Sequence, residues 1–300
     1  MSLILILPII GLFTKFDFEI EYFIKFFQSK YNIRIIYISL IQAFLSSLFS
    51  CLLAIPFSLS LFRQKKSIIN KFLISLSGYS FVLPPILVVY SVIGIYGLKG
   101  ILNETFNFYQ LLGIKSIFGL KAILIAHILL NAPFATRIFY QNLNTIPKSY
   151  VEVAKSMNFG FWQNFFKLEW PIIKQNFFTA FFIIYILCFL SFAIVMALGG
   201  GPKTSTLEVA IYQSVFFELN FNKAIVLSAI QITICLSLMF VGYFTLRGTN
   251  YFEIQTEDFI YPFSERKLIV CIDYVIIALF SIFLFSPTFY IFINFLKNLF

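Results

Sequence analysis

The sequence predicts an all-α membrane protein, a polytopic transmembrane helix bundle of about six or seven spans. Three observations carry that reading. Apolar residues make up 60% of the chain and charged residues only 12%, with a mean hydropathy of +0.91. A soluble domain carries roughly 25% charged residues and could not hide so much apolar surface from water. The apolar residues fall in runs of about 20 or more, the length a helix needs to cross the hydrocarbon core. None of the runs alternates with period two. Backbone polar groups in lipid must pair within the segment, so such runs are helices rather than barrel strands.

Taken in order, residues 1–34 form a short N-terminal span and an interfacial or periplasmic segment. Residues 2–14 are apolar but contain Pro8 and Gly11. They lack the basic leader and small-residue cleavage site of a secretory signal peptide, so a short span or signal anchor is expected. Asp17, Glu19 and Glu21 then appear among aromatics. A long span follows at 35–62, broken by Pro56 and closed by Arg63, Lys65, Lys66 and Lys71. Residues 72–96 give the next span, with Pro84-Pro85 inside, then a polar loop carrying Lys99, Glu104 and Lys115. Spans at 117–140, 177–198 and 223–246 complete the main body, interrupted by a polar segment at 141–176 and by Gly199-Gly200-Gly201-Pro202. Residues 247–267 read as a cytoplasmic hydrophilic linker with Glu253, Glu257, Asp258 and Glu265. Residues 268–300 hold one last apolar run.

The net charge of +9 comes from Lys and Arg placed mostly between apolar runs, where they set orientation and meet anionic lipid headgroups. The loops at 63–72, 137–176 and 247–267 carry somewhat more of them than the opposite set, which places those loops inside. No basic motif supports nucleic-acid binding. Cys51, Cys188, Cys235 and Cys271 all lie in apolar runs without metal-ligand spacing, so neither a metal nor a cofactor is expected. There is no HExxH, GxSxG or GxxxxGK[ST] sequence, hence no catalytic residue is assigned. His127 and Asp273 are notable ionisable residues inside spans. An intramembrane enzyme would need such groups paired, but their runs are far apart in sequence. Tyr79, Tyr90 and Tyr96 could face a cationic substrate, or pack helices and sit in the interfacial belt.

Residues 145–176 read TIPKSYVEVAKSMNFGFWQNFFKLEWPIIKQN. Pro147 suits a first helical turn, which needs no N–H, and Ser149 with Glu152 has capping-box spacing. Tyr150, Val153, Ala154 and Met157 fall on one apolar stripe. Asn158 and Gly160 both tolerate left-handed backbone and should end that helix. A second amphipathic stretch runs from Phe161 to Leu168, and Pro171 marks the return to the membrane. Such a two-helix element can dock into a partner's groove.

This segment resembles the cytoplasmic loop of type I ABC importer permeases: Glu-Ala-Ala, three residues, Gly, nine residues, Ile-x-Leu-Pro. Glu152, Val153 and Ala154 take the first places, Asn158 the Gly place, and Leu168, Glu169, Trp170 and Pro171 the last. Two departures are Val153 for Ala and Asn158 for Gly. The stretches LEWPIIKQ, CFLSFAIVMALGGGPKTSTLEVAIYQ and KAIVLSAIQ look like the amino-terminal half of thiamine transport permeases. Ferric-iron permeases share the layout and are the alternative. The resemblance covers residues 35–246 and implies the type I permease fold. It implies no enzymatic activity in this chain. Its partners would be a separate ABC ATPase docked on the coupling loop 141–176, a periplasmic substrate-binding protein, a second permease half and the lipid bilayer. It places Gly199, Gly200, Gly201 and Pro202 near the substrate path or in a periplasmic loop. It also implies a multi-pass protein of the bacterial inner membrane. A scaffold without transport activity would have no need of the Glu152-to-Pro171 spacing. Residues 268–300 resemble the start of a second half. The expectation is a split or truncated double permease, with a homodimer as the rival.

Overall fold

The computed structural model describes residues 26–65, 67–78, 82–107, 109, 116–246 and 267–299. The expected first span at 2–14, the acidic segment after it, nearly all of the 247–267 linker, Lys115 and Tyr79 lie outside the described residues. Within them the chain is helical, and six helical segments are long and apolar enough to cross a membrane.

The axis of the bundle is α1 (Lys30–Arg63). Its 34 residues make a rod about 51 Å long. One face carries small residues at helical spacing: Ser39, Ala43, Ser46, Ser47, Ser50, Cys51, Ala54 and Ser58 are all buried. Small side chains let backbones approach closely, which is how helices associate when lipid offers no hydrophobic drive. Against this face pack α5 (Leu120–Leu143) and α8 (Trp170–Phe189). They contribute Ala135 and Ala180, and larger Phe139, Ile184 and Phe189 fill the remaining space. Several of the buried hydroxyls find partners, though Ser50 Oγ has none among the described residues. Ser39 Oγ donates to the Ile35 carbonyl at 2.8 Å and accepts the backbone N–H of Leu207 at 2.8 Å. The second bond satisfies the first donor of α10 (Leu207–Phe216), one of the N–H groups a helix start leaves without a partner.

The span expected at 72–96 is divided. Residues Ile68–Leu76 form α2 and Pro85–Tyr96 form α3. The reason is Pro84-Pro85: a proline forces the residue before it out of the helical region, and Pro85 itself starts a new helix well. The membrane-length segment is therefore Pro85–Phe106, combining α3 with α4 (Ile101–Phe106). The run expected at 177–198 also shifts. Helix begins at α7 (Phe161–Asn164), passes through a π-helical turn at Phe165–Glu169 and continues as α8. Short α9 (Ala193–Leu198) then follows a break. Pro171 therefore does not separate an amphipathic stretch from the span, since helix runs through it. The widened π turn just before it accommodates a residue whose ring crowds the preceding carbonyl.

Helix α11 (Phe221–Leu246) packs on α8 and α10, and α12 (Lys267–Leu299) packs on α3 and α1. Ile277 and Leu284 of α12 join Phe57 and Leu61 of α1, Leu73 of α2 and Ala132 of α5 in one cluster. Ser91 Oγ donates to the Pro287 carbonyl at 3.1 Å. Gly94 leaves room here, because a Cβ would meet the far end of the Tyr290 ring, which would have to shift. Tyr90 lies beside that ring, at 5.5 Å between centroids, so it serves helix packing.

The small-residue face of α1 makes a direct prediction. Ala43→Leu should lower the thermal midpoint of the detergent-purified protein, by the equivalent of about 1–3 kcal/mol of overpacking. Ala43→Ser should leave it nearly unchanged. Size-exclusion analysis after heating measures both, and an unaltered midpoint in Ala43→Leu would show that the helices do not meet there.

Candidate functional site

The element expected to dock begins at α6 (Lys148–Ser156). Pro147 is its N-cap residue and no side chain caps it. The expected Ser149–Glu152 capping box is therefore absent. Helix starts two residues too early for it, so Ser149 lies inside the helix and Glu152 is exposed. Among the described residues the Glu152 side chain makes no hydrogen bond or ion pair, which leaves its carboxylate at the surface.

The expected apolar stripe also divides. Tyr150, Val153 and Met157 are 58%, 54% and 62% exposed, whereas Ala154 is buried together with Val151. At about 100° per residue, positions 150, 153 and 157 fall within about 60° of one another, and 151 and 154 fall on the adjoining flank. Val151 fastens the element to the bundle by packing with Leu59, Phe62, Leu143, Ile146 and Ile173. The outward side offers three large apolar groups, and Glu152 is exposed about 100° round the helix from Val153.

Asn158 ends α6 at φ 50°. The Phe159 N–H donates to the Ala154 carbonyl at 3.0 Å and the Asn158 N–H to the Lys155 carbonyl at 3.0 Å. This pair is the Schellman termination, with Asn where glycine is more usual. Gly160, expected to share the left-handed role, has φ −73°. It instead starts α7, with its N–H bonded to Gln163 Oε1 at 3.0 Å. The polarity of the next stretch is inverted relative to expectation. Trp162 and Phe166 are exposed while Asn164 and Glu169 are buried. Leu168 is half-buried and Pro171 is exposed.

Glu169 turns inward because of the π turn, where the Trp170 N–H reaches back to the Phe165 carbonyl. π turns inside helices frequently mark functional positions. Glu169 meets Arg63 at the end of α1. Arg63 Nε donates to Oε1 at 2.9 Å and Nη2 to Oε2 at 2.6 Å, a bidentate fork. Asp273 of α12 lies 3.6 Å from Nη1 of the same guanidinium and accepts from Gln64 Nε2 at 3.1 Å. Phe161 places its ring 4.7 Å below the Arg63 guanidinium carbon. One buried cation therefore joins α1, α7, the π turn and α12. Asp273 thus pairs with Arg63, not with His127. Sequence spacing gave no signal of this cluster, whose members are up to 210 residues apart (Arg63 and Asp273).

The glycine loop lies at the other end. The Gly119 N–H, just before α5, donates to the Leu198 carbonyl at 2.8 Å. Gly200 and Gly201 have φ +68° and +117°, and Thr204 Oγ1 bonds the Gly199 carbonyl. Pro202 starts a short 3-10 turn over Pro202–Thr204. Since α5 runs from Gly119 to Leu143 beside the α6–α7 element, the two sets of residues sit at opposite ends of a helix of about 36 Å.

Comparison with known proteins agrees with this architecture. Residues 39–249 match the family of binding-protein-dependent transport system inner membrane components. The chain is 35% identical over 273 residues to the thiamine transport system permease protein of Haemophilus influenzae, covering 91% of this chain and 50% of that protein. It thus spans half the length of that relative. The ferric transport system permease protein of Actinobacillus pleuropneumoniae is 22% identical over 265 residues, covering 85% of this chain and 38% of its own. Among solved structures, a bacterial ABC transporter involved in import of the acidic polysaccharide alginate shares the fold. Its TM-score is 0.66 at 19% identity, over 83% of this chain and 93% of that one.

The ion cluster makes the testable statement here. Arg63→Met leaves Glu169 and Asp273 buried without their cation, which should cost about 3–5 kcal/mol and reduce the amount of folded protein. Arg63→Met combined with Glu169→Leu should recover much of the loss. Thermal midpoints of the single and double variants decide it, and equal losses in both would show that the pair is not coupled.

Proposed function

This chain belongs to the family of binding-protein-dependent transport system inner membrane components, a multi-pass protein of the bacterial inner membrane. From that premise we propose that it is the permease part of an ATP-driven thiamine importer, coupled to a separate ATPase through residues 145–171. The observation that carries the coupling is the outward face of α6. Tyr150, Val153 and Met157 stand exposed, as does Glu152, on an element fastened to the bundle by Val151 and closed by the Asn158 turn. A short helix with apolar anchors and one charge suits a groove on a partner.

Thiamine is supported by the Haemophilus influenzae relative. The ferric permease relative, at lower identity, gives the alternative that the uptake test separates. In this mechanism ATP binding closes two ATPase subunits, one under each permease half. The docked α6 moves with its subunit. Arg63 passes the motion to α1 and α12, because the buried fork resists separation from Glu169. The bundle then tilts from inward-open to outward-open, and a periplasmic binding protein releases its ligand into the path. The loop at Gly199–Pro202 faces that side. The second half is a separate chain or a second copy of this one, and residues 268–300 resemble the start of such a half.

Two outcomes are expected. Cells carrying Glu152→Lys should take up labelled thiamine at a small fraction of the wild-type rate, and the ATPase should co-purify poorly at unchanged permease levels. A charge reversal at a docking face opposes association. Normal uptake and co-purification would remove Glu152 from the coupling. Single cysteines at Ser149 and Ser156, both exposed, should resist an impermeant maleimide in intact cells and react in inverted vesicles. Ready labelling of intact cells would reverse the orientation.

A further inference from the structure

Helix α8 stops at Phe189 and α9 starts at Ala193, so Leu190–Phe192 are non-helical in the middle of an apolar run. At membrane depth such backbone is tolerated where it is buried in protein or lines a water-filled cavity. Here it forms one wall of a cavity of about 330 Å³, enclosed with the start of α3 and the middle of α5. The break is itself secured, since Gln42 Nε2 of α1 donates to the Cys188 carbonyl at 2.9 Å.

The α5 wall is polar. His127, Asn131 and Phe134 line the cavity at i, i+4 and i+7, one face of the helix. His127 is 1% exposed. Its Nδ1 lies 2.9 Å from Ser46 Oγ, and its Nε2 has no hydrogen-bond partner among the described residues. A buried polar atom without a partner is costly, and the ring that carries it borders the cavity. When Ser46 donates to Nδ1, Nε2 carries the proton and is a donor. Asn131 Nδ2 donates to the His127 carbonyl at 2.9 Å and lies 3.3 Å from Cys188 Sγ. Its Oδ1 accepts no hydrogen bond among the described residues. A donor and an acceptor thus stand one turn apart, with Phe134 and Phe192 as aromatic walls. No Asp, Glu, Lys or Arg lines the cavity.

We infer that this cavity is a subsite for an uncharged, planar nitrogen heterocycle. Resting on the thiamine reading above, that ring is the substrate's aminopyrimidine. Asn131 Oδ1 accepts from the exocyclic amine and His127 Nε2–H donates to a ring nitrogen, while Phe134 and Phe192 cover the faces. The cationic thiazolium stays outside. A ferric ion has no oxygen-rich ligand set here, so the chemistry selects against that cargo.

The test uses the full chain with its partner chains in native membranes. With the four native cysteines replaced, Ser191→Cys on the cavity wall reports access through its rate of reaction with a small thiol reagent. The hydroxymethyl aminopyrimidine half of thiamine should slow that reaction, and the hydroxyethyl thiazole half should not. Asn131→Leu should raise the pyrimidine concentration needed by roughly tenfold, the loss expected for one hydrogen bond. Asn131→Ala, which adds no bulk, is the second variant if the first fails to assemble. A merely structural Asn131 would leave the pyrimidine concentration needed unchanged. Thiamine uptake without pyrimidine protection, or with protection indifferent to Asn131, overturns the subsite alone. Absence of thiamine uptake by wild-type cells overturns the substrate reading and the assignment of the ring with it.

Discussion

Arg63 is the constraint on which the docking end of the bundle depends. It stands at the last residue of α1, buried, forked onto Glu169, near Asp273 and above Phe161. A guanidinium cannot release its proton, so burying it demands acceptors in fixed places. Those acceptors come from two other helices. Moving any of the three apart would expose an unpaired charge to a low-dielectric interior, which is far costlier than loosening an apolar contact. The α6–α7 element is therefore tied to the bundle by charge as well as by Val151 and its neighbours. A push on α6 has a stiff route into α1, α8 and α12.

Above that end the bundle is held differently. The small-residue face of α1 brings α5 and α8 close, and several of its hydroxyls, those of Ser39 and Ser58 among them, bond to backbone carbonyls of the same helix or to a neighbour's start. In lipid this solves two problems at once. Close approach maximises dispersion contacts, and every buried hydroxyl that finds a carbonyl avoids a desolvation cost. The pattern yields around the cavity. There α8 breaks and His127 keeps one nitrogen without a partner. The interruption lies between the two ends, beside the same α5 that links the glycine loop to the α6–α7 element. A ligand held there would touch an element that both ends share.

The sequence by itself determined the class and most of the spans, because lipid imposes a length and an apolar content that can be read without knowing the fold. It also determined the docking turn. Asn158 is one of the few non-glycine residues that accept left-handed backbone, and the structure uses it so. Local chemistry was less certain where two local rules competed. The capping-box spacing of Ser149 and Glu152 lost to Pro147, which starts the helix earlier. Gly160 was not needed once Asn158 had made the turn. The Pro84-Pro85 pair outweighed apolar content and divided a run that composition alone reads as one span.

Only the tertiary structure decided which polar residues meet. Arg63, Glu169 and Asp273 belong to three helices remote in sequence, and no local pattern encodes their convergence. Glu169 reaches Arg63 because a π turn rotates it inward, and such a turn has no reliable sequence signature. The same holds for His127, Asn131 and Ser191, brought to one cavity by the packing of α5 against a broken helix. Period and composition tell which face of a helix avoids lipid. They do not tell which helix will cover it, because that choice is made by shape and charge across the whole bundle.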